Sequence, residues 1–216
     1  MFRRWTLVWL GRDLEQPIPG AERRSRRADA HVAVPLTDES LDRLHPYFAS
    51  KLVGYRRLLK SGAQGMGAED SAGVVYGVMW VSTKDLFDDL HYRCWFRINP
   101  GEVLQFAGEI APDRRGGLAA VRVQRVFWNE MLRRGYERTV CVVETGNTHS
   151  LSLHFSLGFS ERGMITEVYR FFRVFSFVRH RRYEGARFED EYRRKASRRE
   201  AVAHPGSSED PAIDQA

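Results

Sequence analysis

Residues 111–120 read APDRRGGLAA, and this stretch decides the fold because it marks a turn between two regular elements. A strand pattern over residues 102–111 leads into it, and a helical pattern over residues 118–134 follows it. A glycine-rich turn at a helix start leaves backbone N–H groups free and backed by the positive end of the helix dipole. Such a turn suits a phosphate or pyrophosphate, and Arg114 and Arg115 add positive charge. A plain exposed loop is the alternative that this stretch alone leaves open.

The elements after this turn alternate between helix and strand. Gly135 is positioned to end the long helix, and residues 139–144 have the pattern of a buried strand. Residues 146–159, GNTHSLSLHFSLGF, contain a short helix, and one long aromatic strand is predicted for residues 166–178. This order of strand, turn, helix, strand, helix and strand predicts an α/β fold.

The first half of the chain supplies further strands and two helices. Thr37 or Asp38 can cap the first helix, and the segments at 17–30 and 61–73 are predicted to be flexible. The predicted strands span 2–10, 31–36, 74–81, 92–98 and 102–111, and the predicted helices span 39–44 and 48–60.

Four segments are expected along the chain. Residues 1–30 form an N-terminal strand and a basic loop, and residues 31–178 form the main domain. Residues 179–200 are a charged, partly helical extension, and residues 201–216 are a disordered tail.

Charge and composition limit the classes of function. The chain has 216 residues, 43% of them hydrophobic, so a substantial core is expected. Its net charge of +6 sits mostly in the flanking segments, which argues against a basic nucleic-acid-binding core. Cys94 and Cys141 each lie in a strand-like run without metal-ligand spacing, so both are read as buried thiols in a reducing compartment. With no convincing signal peptide or membrane span, we expect a soluble, cytoplasmic protein.

Residues 108–160 resemble the acetyl-CoA-dependent GNAT N-acetyltransferase superfamily. The family pattern begins with Val-x-Pro and Arg/Gln-x-x-Gly-x-Gly/Ala, for which this chain has residues 110–112 and 114–119, IAP and RRGGLA. A helix that ends at glycine follows, here at Gly135, and Asn147 then opens a short helix that closes with Leu-Gly-Phe at 157–159. The resemblance implies a mixed, mostly antiparallel twisted sheet, flanked by helices and with splayed central strands.

One departure from the family pattern concerns the register of the turn. If the helix is aligned without a gap, the motif begins at Arg115, and Leu118 falls where the family has glycine. If it begins at Arg114, Gly117 and Ala119 fit, and the loop is one residue shorter. Because the contacts come mainly from the backbone, either register can hold a pyrophosphate.

The resemblance also implies a reaction. Acetyl-CoA, or another acyl-CoA, is a co-substrate, its pantetheine lies along residues 106–111, and an amine attacks the thioester directly in a ternary complex. No metal is expected. The residues expected to bind the cofactor are Ile110, Arg114, Arg115, Gly116, Gly117, Leu118, Ala119, Ala120 and Asn147.

His154 is the candidate for the proton donor. The family commonly has a tyrosine seven residues after the asparagine, and here that position is His154. Asn147, Leu151 and His154 share one helix face, so the ring is expected to point inward. An imidazolium can protonate the departing thiolate, since free histidine titrates near ~6.5. Packing or a contact with CoA is the alternative.

Candidates for the general base are Glu109 and Glu102, on the strand before the turn. They are an odd number of residues apart, so we expect them on opposite faces of the sheet. Glu144, at the end of the next strand, is a further candidate. Each of the three is alternatively an exposed charge at a strand end.

Three functions therefore stay open at this stage. The first is a GNAT-type N-acyltransferase that acts on the amine of a small molecule or a peptide. The second is a GNAT-fold binding or regulatory protein without catalysis, and the third is a basic interaction protein for nucleic acid or acidic surfaces. The expected partners are acyl-CoA and an amine acceptor; nucleic acid is not expected, and a homodimer is an open option.

Overall fold

The computed structural model describes residues 2–19, 32–88, 91–115, 119–172 and 175–194. Within these ranges the core is a single eight-stranded sheet, with a separate two-stranded hairpin beside it. The strands are β1 (Phe2–Asp13), β2 (Val32–Pro35), β3 (Gln64–Glu69), β4 (Val75–Ser82), β5 (Leu86–Asp88), β6 (Cys94–Phe96), β7 (Glu102–Ile110), β8 (Arg138–Glu144), β9 (Ser160–Phe171) and β10 (Phe175–Arg182).

In the described ranges, five α-helices and two 3₁₀ helices accompany the strands. The α-helices are α1 (Asp38–Asp42), α2 (Leu52–Lys60), α3 (Ala119–Arg133), α4 (Thr148–Ser156) and α5 (187–194), and the 3₁₀ helices are Pro46–Lys51 and Pro112–Arg114. Of the two cap candidates, Thr37 and Asp38, Thr37 caps α1 by accepting a hydrogen bond from the Ser40 backbone N–H. None of the helices in the described ranges has the length and apolar character that a membrane crossing requires.

The strand order of the large sheet is β10-β9-β1-β8-β7-β4-β3-β2. All neighbouring strands are antiparallel except β7 and β8, which are parallel and are joined through α3. The expected mixed, mostly antiparallel α/β sheet is therefore confirmed. The parallel pair is where a helix must cross over, and the turn at residues 111–120 lies at the start of that crossover.

Helices cover both faces of this sheet. On one face, here called the α2 face, the Trp80 ring lies 5.5 Å from the Tyr55 ring of α2. On the other, the α3 face, Trp128 of α3 donates to Gln105 at 3.4 Å. Phe127 and Met131 of α3 are almost fully buried, as expected for a helix that packs an apolar face on a sheet.

The structure corrects three sequence-based assignments. Residues 61–73 were expected to be flexible, but they contain β3, where Gly65 and Gly67 leave room for the Leu36 side chain. The long strand expected at 166–178 is instead the β9–β10 hairpin. The first strand was assigned outside the main domain, but β1 lies inside the sheet between β9 and β8.

The charged extension is partly packed on this sheet as well. Glu161 of β9 accepts the backbone N–H groups of Phe188 and Glu189 at 2.5 and 2.6 Å, so its carboxylate caps α5. The Tyr192 ring of α5 lies 5.6 Å from the Phe155 ring of α4. The predicted tail, 201–216, lies outside the described residues.

Candidate functional site

The site is an opening in the sheet between β7 and β8. These strands pair from Glu102–Arg138 to Gln105–Cys141, and within the described residues no ladder pair joins them beyond that point. Farther along, Glu109 of β7 pairs with Val78 of β4, and Glu144 of β8 pairs with Leu7 of β1. Each strand therefore stays with its outer neighbour while the two separate from each other, which confirms the expected splay. A ligand that carries amides could pair with backbone groups that face such an opening.

A β-bulge in β7 lies where the opening begins. Phe106 is opposite Trp80 and Glu109 is opposite Val78, so two steps on β4 match three on β7. Ala107 occupies the left-handed region with a φ of +47°. The extra residue reverses the alternation of side chains beyond it. Gly108, next to the bulge, is the one sequence signal that could have revealed it.

This bulge corrects the expected placement of the two glutamates. Glu102 and Phe106 share a face because they are four residues apart, and Phe106, Trp80, Val78 and Glu109 share it through their pairing. Glu102 and Glu109 therefore lie on the same face, the α2 face. The prediction of opposite faces was wrong because it assumed a regular strand.

Glu109 is held by the 3₁₀ helix Pro46–Lys51. Its carboxylate accepts hydrogen bonds from the Tyr47 hydroxyl and the Lys51 ammonium. Burial alone would raise the pKa of Glu109, but these two hydrogen bonds and the charges of Lys51 and Arg115 lower it below its ordinary value. At neutral pH the carboxylate is ionised and weakly basic, so it suits the binding of a cation better than proton abstraction. No sequence pattern had singled out Tyr47 or Lys51.

Glu102 lies at the opposite end of β7, roughly 20 Å from Glu109 at ~3.3 Å per residue. Its carboxylate is buried, contacts the Arg162 guanidinium, lies 3.8 Å from Arg138 and accepts from the Asn99 amide at 2.9 Å. These contacts neutralise arginines beside a cavity of 680 Å³ at the paired end of the strands. The structure therefore does not bring Glu102 together with the other predicted site residues.

His154 is half-buried on α4, and its ring packs edge-on against Phe159 with 5.0 Å between centroids. Nδ1 lies 2.7 Å from the Ser150 carbonyl oxygen. Because a carbonyl only accepts, Nδ1 carries the proton, and in the neutral ring Nε2 is the acceptor. Burial lowers the pKa of His154, and the hydrogen bond to Ser150 opposes that shift only in part. The neutral ring therefore dominates near pH 7, and in that form Nε2 accepts a proton.

This lowered pKa predicts a pH-dependent contribution to stability. An unfolded chain binds a proton at His154 below pH ~6.5, whereas the folded chain resists it, so stability falls as pH drops below that value. The slope has an upper limit of about 1.4 kcal/mol per pH unit. In denaturant unfolding between pH 5 and 8, the free energy of unfolding of His154→Gln should fall less at acid pH than that of the wild-type chain. The exposed neighbour substitution His149→Gln should keep the wild-type dependence; equal curves for all three proteins would refute the assignment.

Asn147 is the N-cap of α4. Its side-chain oxygen accepts the Ser150 backbone N–H at 3.1 Å, so the residue anchors the helix that positions His154. Leu151, one turn on, is buried, in agreement with the predicted inward face. A contact between Asn147 and CoA stays a prediction.

The structure describes the two ends of the predicted pyrophosphate turn, residues 111–115 and 119–120. Arg114 lies 3.2 Å from the Asp70 carboxylate, and Arg115 donates from Nε to the Ile110 carbonyl at 3.0 Å. Gly116, Gly117 and Leu118 lie outside the described residues, and Ala119 and Ala120 are the first residues of α3. β7, which borders the opening, ends at Ile110 and α3 begins at Ala119, and both arginines lie on the segment between them.

The chain is similar to known proteins in structure rather than in sequence. Neither protein-family models nor curated protein sequences match the chain. Among solved structures, a functionally unknown conserved protein from Staphylococcus epidermidis aligns over 78% of the chain with a TM-score of 0.54 and 8% identity. A Drosophila protein aligns over 80% with a TM-score of 0.53 and 13% identity.

A third structure carries a family name. The GCN5-related glucosamine N-acetyltransferase region of a fungal multi-domain GH3 β-N-acetylglucosaminidase aligns over 74% of the chain, with a TM-score of 0.50 and 16% identity. The chain has the GNAT fold. It spans 62%, 52% and 20% of the three proteins named, less than two thirds of each. The opening between β7 and β8 borders residues 106–110.

Proposed function

We propose that this GNAT-fold chain is an acyl-CoA-dependent N-acyltransferase that transfers an acetyl group to the amine of a small molecule or peptide. The observation that carries the proposal is the opening between β7 and β8, with Arg114 and Arg115 on the segment that leads from β7 to the start of α3. This opening fits an extended chain with amide groups, because backbone donors and acceptors on both strands face a gap. The helix start and Arg114 and Arg115 fit a pyrophosphate.

Acyl-CoA, when bound, would supply the activated thioester. The backbone of residues 106–110 would hold the pantetheine, and residues 114–120 would hold the pyrophosphate. Holding cofactor and amine in one opening removes much of the entropic barrier to their reaction. Glu109, which already accepts from Tyr47 and Lys51, lies on the α2 face, and its remaining acceptor capacity would contact a cationic acceptor there.

Proton transfer falls to His154 in this proposal. Its neutral ring holds the proton on Nδ1 against Ser150, so Nε2 would accept, through water, the proton that the attacking amine loses. The sequence-based expectation of His154 as an acid required a charged ring, which the lowered pKa disfavours. We therefore favour His154 as a proton acceptor first, which becomes a donor to the thiolate once it is charged.

Two measurements test this proposal. Acetyl-CoA at 100 times its dissociation constant should stabilise the fold by about 2.7 kcal/mol, which a thermal shift detects. Release of free CoA over a panel of primary amines should then show turnover. A thiol reagent can follow the release because Cys94 and Cys141 are buried; burial, with help from Asp88, raises the pKa of Cys94 to about 12. Absence of a thermal shift would contradict the proposal.

A binding protein without catalysis is the second candidate. Glu109 is already neutralised by Lys51, and the pKa of His154 is lowered, so neither group is a strong base or acid as the structure stands. A thermal shift without turnover on any amine would favour this candidate over the enzyme.

A further inference from the structure

An exposed aromatic patch covers one end of the sheet, far along the strand order from β7. Cross-strand pairing puts Phe2, Phe171 and Phe175 in one row and Tyr169 and Phe177 in the next. Neighbouring rings touch, with centroids 5.1 Å apart for Phe2–Phe171 and 6.1 Å apart for Tyr169–Phe177. We call these five residues the aromatic face.

The phenylalanine side chains of the aromatic face are largely exposed to solvent, which is unusual for large apolar residues. Phe2, Phe171, Phe175 and Phe177 are 56%, 43%, 71% and 60% exposed. With about 200 Å² per phenylalanine, these four rings present roughly 450 Å² of apolar surface. A standard interface buries about 800 Å² per partner, a little over half of it non-polar. The aromatic face therefore supplies about the apolar area that one stable interface requires.

The aromatic face borders an open sheet edge. β10 is the last strand in the sheet order, and in the described part of the chain no strand pairs with its outer side. Nearly all residues of β10 are exposed on both faces. An edge of this kind accepts another strand through backbone hydrogen bonds.

The sequence of β10, FSFVRHRR, is complementary to itself when two copies run antiparallel. Every second residue of a strand lies on the same face, so one face of β10 carries Phe175, Phe177, Arg179 and Arg181. If two copies pair around Val178, Phe177 lies opposite Arg179 of a second copy, and Phe175 lies opposite Arg181. Pairing around Arg179 would instead place two arginines directly opposite each other, where like charges repel. Arg4 already lies 5.6 Å above the Tyr169 ring, so this face uses arginine–aromatic contacts within one chain.

We propose that the aromatic face and β10 form a two-fold interface with a second copy of this chain, in which the two β10 strands pair around Val178. The proposal is independent of the acyltransfer reaction. A two-fold dimer uses the same patch on both subunits, as this self-complementary strand allows. The dimer joins two eight-stranded sheets into one continuous sheet.

Light scattering tests the oligomeric state. The wild-type chain at micromolar concentration should have twice the mass of one 25.0 kDa chain. Phe177→Glu should have the mass of one chain and a circular dichroism spectrum like that of wild type. The matched control is Val53→Glu, an exposed apolar residue of α2, which should remain dimeric. A single-chain mass for the wild type, or dissociation of the control as well, would overturn the proposal.

Disulfide trapping tests the register without depending on the stability of the glutamate variant. Val178→Cys should cross-link to itself under mild oxidation, because residue 178 lies opposite its own copy. Ser176→Cys, two residues away, should not cross-link, and Cys94 and Cys141 are buried. Cross-linking of Ser176→Cys but not of Val178→Cys would overturn the register. If the wild-type chain is monomeric and co-sediments with phosphatidylserine vesicles, the partner of the aromatic face is an anionic lipid surface. That result would overturn the dimer.

Discussion

Arg12→Leu should unfold at a temperature about 6–12 °C below that of the wild-type chain, because we expect it to lose about 3 kcal/mol of stability. Arg12 is only 2% exposed. Its Nη1 donates to the Leu157 carbonyl at 2.6 Å, and Nη2 donates to the Gln16 carbonyl. Leucine can make neither bond, so the carbonyl of Leu157 at the end of α4 would be left buried without this donor.

Packing around the guanidinium adds to this effect. The Arg12 guanidinium lies 4.4 Å from the centroid of the Trp128 ring of α3, so one side chain joins β1, α3 and the end of α4. Gly158 has a φ of +87°, and a Cβ there would collide with Arg12 Nη1. The glycine of the Leu-Gly-Phe sequence therefore both closes the helix and makes room for the arginine.

Thermal unfolding with a matched variant checks this prediction. Arg3→Leu replaces an exposed arginine of the same strand and should change the stability by less than about 0.5 kcal/mol. If Arg12→Leu and Arg3→Leu melt together, Arg12 does not hold the end of α4. Because α4 carries His154, we also expect a loss of any acyltransfer activity in Arg12→Leu at temperatures near its melting point.

The sequence predicts the second half of the fold well, for a physical reason. Helix α3 and strand β8 are each specified by local periodicity and end signals, and both are found within one residue of the predicted bounds. The position of Asn147 before α4 is likewise local information, since an N-cap acts three residues away. The resemblance to the GNAT superfamily depends on these same local signals.

The remaining features depend on contacts between distant positions. Arg12 and Leu157 are 145 positions apart, and a lone arginine in a strand gives no sign of such a partner. Tyr47 and Lys51 reach Glu109 from about 60 positions away. The lowered pKa of His154 has the same origin, since the burial that lowers it comes from tertiary packing.

Ala107→Val should reduce turnover of acetyl-CoA by more than about 100-fold, if the chain is the acyltransferase that we propose. Ala107 has a φ of +47°, a region that β-branched side chains strongly disfavour. The strand can relieve this strain by returning to an extended conformation, which removes the bulge. Residues 107–110 would then shift by one position and turn to the other face, and Glu109 would leave Tyr47 and Lys51.

Ala107→Gly is the control that separates conformation from side-chain size. Glycine adopts a positive φ without strain, so this variant should keep the bulge, turn over acetyl-CoA within about 2-fold of wild type and melt at a similar temperature. Assays of CoA release and of the thermal shift with acetyl-CoA measure both variants. The expected pattern is loss of both signals in the valine variant and retention in the glycine variant. Normal turnover in Ala107→Val would show that the opening between β7 and β8 does not require the bulge. It would also remove the reason for proposing that Glu109 faces the amine acceptor.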